Sequence, residues 1–155
     1  MVAEAGAMDW REDRIGFEAR MGDGSKPESG FFGTLLDAGK RAATGESIFM
    51  TRFTNEGSGK KRVAFSAPHT DKIVCLAMGQ IHDEFGCKKD AFLCGTLGAE
   101  ISIAFTKRLG PGFFGGEGFI LQRLRGDGLA FVHAVGAIVE KRLNKELIRI
   151  DTGCI

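Results

Sequence analysis

Hydrophobic and polar residues alternate along most of this chain with a period of two. "AEISIAFTKR" (99–108) is the clearest case. Ile101, Ile103 and Phe105 fall on one side and Ser102, Ala104 and Thr106 on the other, as a half-buried strand requires. "RIGFEARM" (14–21) repeats the pattern with Ile15, Phe17, Ala19 and Met21 facing inward. "SIFMTRFT", "KRVAFSA" and "KIVCLAM" are rich in branched and aromatic residues and are cut by the turn sequences "NEGSGK" and "PHTD". About the last fifty residues read as further short strands, joined by "GDG", by Gly136 and by "NK". One segment departs from this rule: "FFGTLLDAGKRAA" (31–43) sets Phe32, Leu35, Leu36 and Gly39 at helical spacing. Roughly eleven strands and one short helix near 31–43 predict an all-β fold of sandwich, barrel or prism type.

Composition narrows the class further. With 155 residues, 43% hydrophobic and 26% charged, the chain fits one domain, residues 1–155, with a core that needs no disulfide or metal. Glycine is the outlier at 23 residues, and many of these are scattered singly, as many tight turns require. The formal charge of +1 balances 21 basic against 20 acidic side chains, so no basic excess marks a nucleic-acid surface. Thirteen Phe, one Trp and no Tyr place most aromatic rings in a core or an interface, because Phe has no polar tip. "MVAEAGAMDW" has neither a basic n-region nor an apolar h-region, and no apolar run reaches the ~18–20 residues of a membrane span. The expected setting is the cytoplasm, with no membrane partner and with Cys75, Cys87, Cys94 and Cys154 reduced.

The stretch "GPGFFG" (110–115) satisfies the G-x-G-x-x-G spacing of a dinucleotide loop. Such a loop needs a helix opening at its third glycine, yet "GDG" closes the following segment after two turns at most. Pro111 also removes a backbone N–H that a phosphate cradle would use. The glycines read instead as β-corners, with "GDG" as a tight hairpin turn, and no cofactor is expected. Phe113 and Phe114 either anchor this loop or, if exposed, make it an interface.

The chain also echoes itself. "GESIFMTRFT" (45–54) and "GEGFILQRLR" (116–125) share Gly-Glu, an apolar run and Arg at the eighth position. Each precedes a Gly-x-Gly turn and a similar strand, "VAFSA" (63–67) and "LAFVHA" (129–134). "AEAGAM", "KDAFLC" and "IDTGCI" place an acid before a small residue three times. The agreement in order predicts duplicated β-units. These segments, with "GGEGFILQRLRGDGLAFVHAVGAIVEKRL", resemble the altered-inheritance-of-mitochondria (AIM) family, whose fold is described as similar to the tryptophan RNA-binding attenuation protein (TRAP). The resemblance covers most of the chain. It implies repeated TRAP-like β-units of double-stranded β-helix or β-sandwich type, three in the family. It also implies a chain incomplete at both ends relative to that pattern.

No catalytic constellation stands out. His69 and His82 fall in loops and His133 in a strand; His82, Cys87 and Cys94 lack the paired spacing of a metal site, so no metal is expected. Glu46 and Glu117 recur at equivalent positions, which favours pairing with Arg52 or Arg123 over acid–base work, since a catalytic pair needs two different environments. No G-x-S-x-G elbow occurs. The reading is a non-enzymatic β-scaffold that forms homo-oligomers or binds a partner, through a β-face or through Phe113 and Phe114. RNA binding, by the TRAP resemblance and by the basic loops "NEGSGKKR" and "KRLGPGFF", is the first alternative. A metal-dependent enzyme is the second.

Overall fold

The computed structural model describes residues 1–21, 49–81, 84–88, 90–107, 119–151 and 154. The helix expected near 31–43, the motif at 110–115 with Phe113 and Phe114, and Glu46, Glu117 and His82 lie outside these residues. The described chain is all-β. Its strands are β1 (Val2–Glu4), β2 (Met8–Arg11), β3 (Ile15–Met21), β4 (Phe49–Asn55), β5 (Val63–Phe65) and β6 (Lys72–Ala77). After one 3-10 turn (Met78–Gln80) come β7 (Phe85–Lys88), β8 (Phe92–Gly95), β9 (Ala99–Lys107), β10 (Phe119–Gly126) and β11 (Leu129–Ala134).

Every pairing is antiparallel, in three sheets: six strands in the order β3-β4-β1-β8-β11-β6, three in the order β7-β10-β9, and the pair β2-β5. Alternation places side chains of the six-stranded sheet in two cores. Val2, Met50, Phe92, Ala130 and Val132 join Cys87, Ile101 and Leu124 of the three-stranded sheet. Ala3, Phe53, Leu93 and Cys94 pack with Ala7 and Ile15, against Val63 and Phe65 of the small sheet. The central sheet is therefore buried on both sides, which is why its strand β8 is apolar at Phe92, Leu93 and Cys94 without a polar interval.

Pairing within β1–β5 follows the same plan as pairing within β7–β11. β4 lies between β1 and β3, as β10 lies between β7 and β9; β2 pairs β5, as β8 pairs β11. The β2·β5 register steps over Asp9 and the β8·β11 register over Leu93, each a one-residue bulge. Turn bonds correspond too. Ala7 N–H donates to the Glu4 carbonyl and Ala91 N–H to that of Lys88, both at 3.2 Å. Ser66 N–H donates to Ala7 O at 3.0 Å and His133 N–H to Ala91 O at 2.8 Å. Glu12 N–H donates to Arg62 O at 3.0 Å and Thr96 N–H to Leu129 O at 2.9 Å. A third bond of the first kind joins Cys154 N–H to Asp151 O at 2.9 Å.

Three expectations change. "GDG" is a corner and not a hairpin turn, because β10 and β11 belong to different sheets. Gly126 and Gly128, at φ of 105° and 93°, make the corner possible, and a Cβ on Gly126 would run into the Gly98 carbonyl. Phe17 does not face inward with Ile15. Phe17 is exposed, resting near Phe53 at 6.4 Å between centroids and beneath the Arg11 guanidinium at 5.0 Å, and Ala19 of the same expected inward face is exposed as well. Finally, 135–150 forms no strand among the described residues: this stretch has no ladder partner to satisfy its backbone.

Candidate functional site

The most buried polar contact among the described residues joins the two ends of β6 and β11. His133 stands near the end of β11, opposite Ile73 of β6, and Asp71 lies one residue before β6 begins. Antiparallel pairing of these strands therefore carries two residues distant in sequence to the same place. His133 Nδ1 sits 2.7 Å from Asp71 Oδ2, with the side chains 11% and 1% exposed. Asp71 Oδ1 and His133 Nε2 are also buried and have no protein partner. A carboxylate holding an imidazole in this way resembles the orienting half of a catalytic dyad. For general-base work, however, the far nitrogen must face a substrate, and His133 Nε2 is closed off from solvent. The pair acts as a clamp, tying the segment before β6 to β11.

The other candidates do not converge. Cys87 lies in one core and Cys94 in the other. Among the described residues, no three of His, Cys, Asp and Glu gather as a metal-binding group. Burial pushes both thiols up to about 11. Native protein treated with iodoacetamide at pH 8 should thus be labelled first at exposed Cys75 and Cys154, with Cys87 and Cys94 following only on denaturation. Mass spectrometry of a time course reads this directly, and equal rates at all four sites would contradict the assigned burial.

Arg123 and Arg125 project from alternate positions of β10 toward Glu84. Arg125 Nη2 and Nε donate to Glu84 Oε2 at 2.7 and 3.1 Å. Arg123 Nε lies 3.0 Å from the same oxygen but off the line of a hydrogen bond. Glu84, rather than a strand-entry glutamate, is thus the described partner of Arg123. On the small sheet Glu12 accepts from Arg62 N–H and Nε at 3.0 and 2.9 Å, which holds its carboxyl below the usual glutamate range. These exposed pairs fasten strand ends and contribute little stability.

What stands out instead is unfinished pairing. Among the described residues, β2 and β5 pair only with each other, and β7 pairs only with β10. Trp10 on β2 is 51% exposed, and in 135–150 Val139 and Leu147 are 84% and 88% exposed. Sequence reasoning pointed to Phe113 and Phe114 for interfaces and passed over Trp10, although it is the one Trp of the chain. No described helix is long and apolar enough to cross a membrane.

The molecule thus defines a class: an all-antiparallel, multi-sheet β-protein in its described residues. The chain belongs to the mitochondrial biogenesis AIM24 family, whose profile matches residues 1–155. No curated protein matches the chain.

Proposed function

We propose that this protein is a non-enzymatic β-scaffold, one domain of duplicated TRAP-like units, that works by self-association. The observation carrying the proposal is the set of strand edges on β2, β5 and β7 that have no partner among the described residues, beside the exposed apolar side chains of Trp10, Val139 and Leu147. Bare edges invite another chain, and soluble β-proteins ordinarily cover, shorten or charge them. The matching ladders and turn bonds of β1–β5 and β7–β11 support the duplication. Phe113 and Phe114 are proposed as additional contacts, and the cytoplasm as the compartment.

Size-exclusion chromatography with light scattering tests the proposal. The expected result is a mass of two or more protomers at micromolar concentration; a strict monomer overturns it. RNA binding is less favoured, since Arg123 and Arg125 are already engaged by Glu84. A salt-sensitive electrophoretic shift with single-stranded RNA would reverse that order of preference.

A further inference from the structure

Asp71 and His133 meet through one pair of atoms and leave two others without a bond. His133 Nδ1 lies 2.7 Å from Asp71 Oδ2. Asp71 Oδ1 and His133 Nε2 are buried and hydrogen-bond to no protein group. The two side chains are 1% and 11% exposed, so bulk water does not reach these atoms. The backbone amides of both residues are committed elsewhere: Asp71 N–H donates to His69 O and His133 N–H to Ala91 O, each at 2.8 Å. A buried acceptor left unbonded costs more than an ordinary hydrogen bond contributes. In folded proteins the large majority of such atoms are met by a protein group or by ordered water.

The first half of the chain places a similar pair at the surface. Ser66 corresponds to His133, since Ser66 N–H donates to Ala7 O as His133 N–H donates to Ala91 O. Ser66 also sits on a carboxylate: its Oγ donates to Asp9 Oδ1 at 2.7 Å, and both residues are exposed. The spare lone pairs of that carboxylate face solvent. His133 instead alternates with Val132 of the first core and shares the face of Phe131, which packs against the second. Hydration at this position has to come from inside the molecule.

We infer that Asp71 and His133 hold internal water, which donates to Asp71 Oδ1 and hydrogen-bonds to His133 Nε2. The inference is independent of self-association. The chemistry of the two atoms selects the occupant. Oδ1 accepts wherever the shared proton lies, because Oδ2 is the oxygen that faces Nδ1. Nε2 accepts when the ring proton is on Nδ1 alone and donates when Nε2 carries one. The occupant therefore donates to the first atom and either donates to or accepts from the second. Water meets both demands in every protonation state, and buried water ordinarily bonds polar atoms of this kind. A metal ion needs more ligands, and no three of His, Cys, Asp and Glu gather among the described residues. The clamp between β11 and the residue preceding β6 is thus a joint of two side chains and water.

Water–protein cross-relaxation tests this on the unaltered chain. The ring protons of His133 are expected to show cross-peaks to water with the sign of a long-lived, protein-bound molecule. Oxygen-17 relaxation dispersion counts such waters. Replacing both partners by apolar groups of similar shape preserves the fold, where a single substitution strands one buried atom. The double variant Asp71→Leu, His133→Phe is therefore expected to lower the dispersion amplitude by at least one water molecule. A crystal structure should place water within about 3.2 Å of Asp71 Oδ1 and of His133 Nε2. Absence of the His133 cross-peaks in the wild type overturns the inference, whether or not the double variant folds. So does an unchanged amplitude in a folded double variant, or a crystal structure in which protein groups bond both atoms.

Discussion

Replacing Phe92 by alanine is expected to destabilise the protein by about 3–5 kcal/mol, the range for deleting a fully buried aromatic ring. Phe92 is 2% exposed and sits in β8 at the centre of the six-stranded sheet, packed in the core with Val2, Met50, Leu124 and Val132. Strands from both halves surround it, so no single loop can relax into the cavity. A domain of this size has only about 5–15 kcal/mol in total. Urea unfolding followed by far-UV circular dichroism should show a large fall in midpoint with an unchanged slope. A loss below about 1 kcal/mol would mean that the core around Phe92 is looser than described.

The second large effect concerns the buried clamp. His133→Ala leaves the Asp71 carboxylate, 1% exposed, without its imidazole partner. An orphaned buried acceptor costs about 1–3 kcal/mol, more when charged, so about 3 kcal/mol is expected. Asp71→Ala should cost a comparable amount. The double variant should cost little more than either single one, because the interaction can be lost only once. Additive losses in that cycle would show that the two side chains act independently despite their 2.7 Å contact.

Strand positions were legible because period-two patterning is a local property. "AEISIAFTKR" became β9 and "LAFVHA" became β11 with almost the expected bounds. What the local pattern does not carry is the partner. Phe17 alternates correctly with Ile15, yet the small sheet covers only part of the face on which they stand, and Phe17 is left outside. "GDG" has the composition of a hairpin turn. Whether such a turn returns the chain to its own strand or passes it to another sheet depends on what lies beneath it, here Gly98 and Thr96. The clamp was invisible for the same reason: His133 and Asp71 meet only through the β6·β11 register. The repeated acid–small motif was a partial guide. The turn at Glu4–Ala7 corresponds structurally to Lys88–Ala91, so the repeated feature is the backbone bond and not the acid.

The crossed pairing of the central sheet has a consequence for synthesis. β1 is closed on its far side by β8, and β6 is held by β11. A ribosome adding ~5–20 residues per second delivers the partner of β1 about 5–20 s after β1 itself. During that interval the nascent first half has its own hairpins but cannot finish the sheet to which they belong. It is a waiting template, and completion depends on the second half arriving before any other strand does.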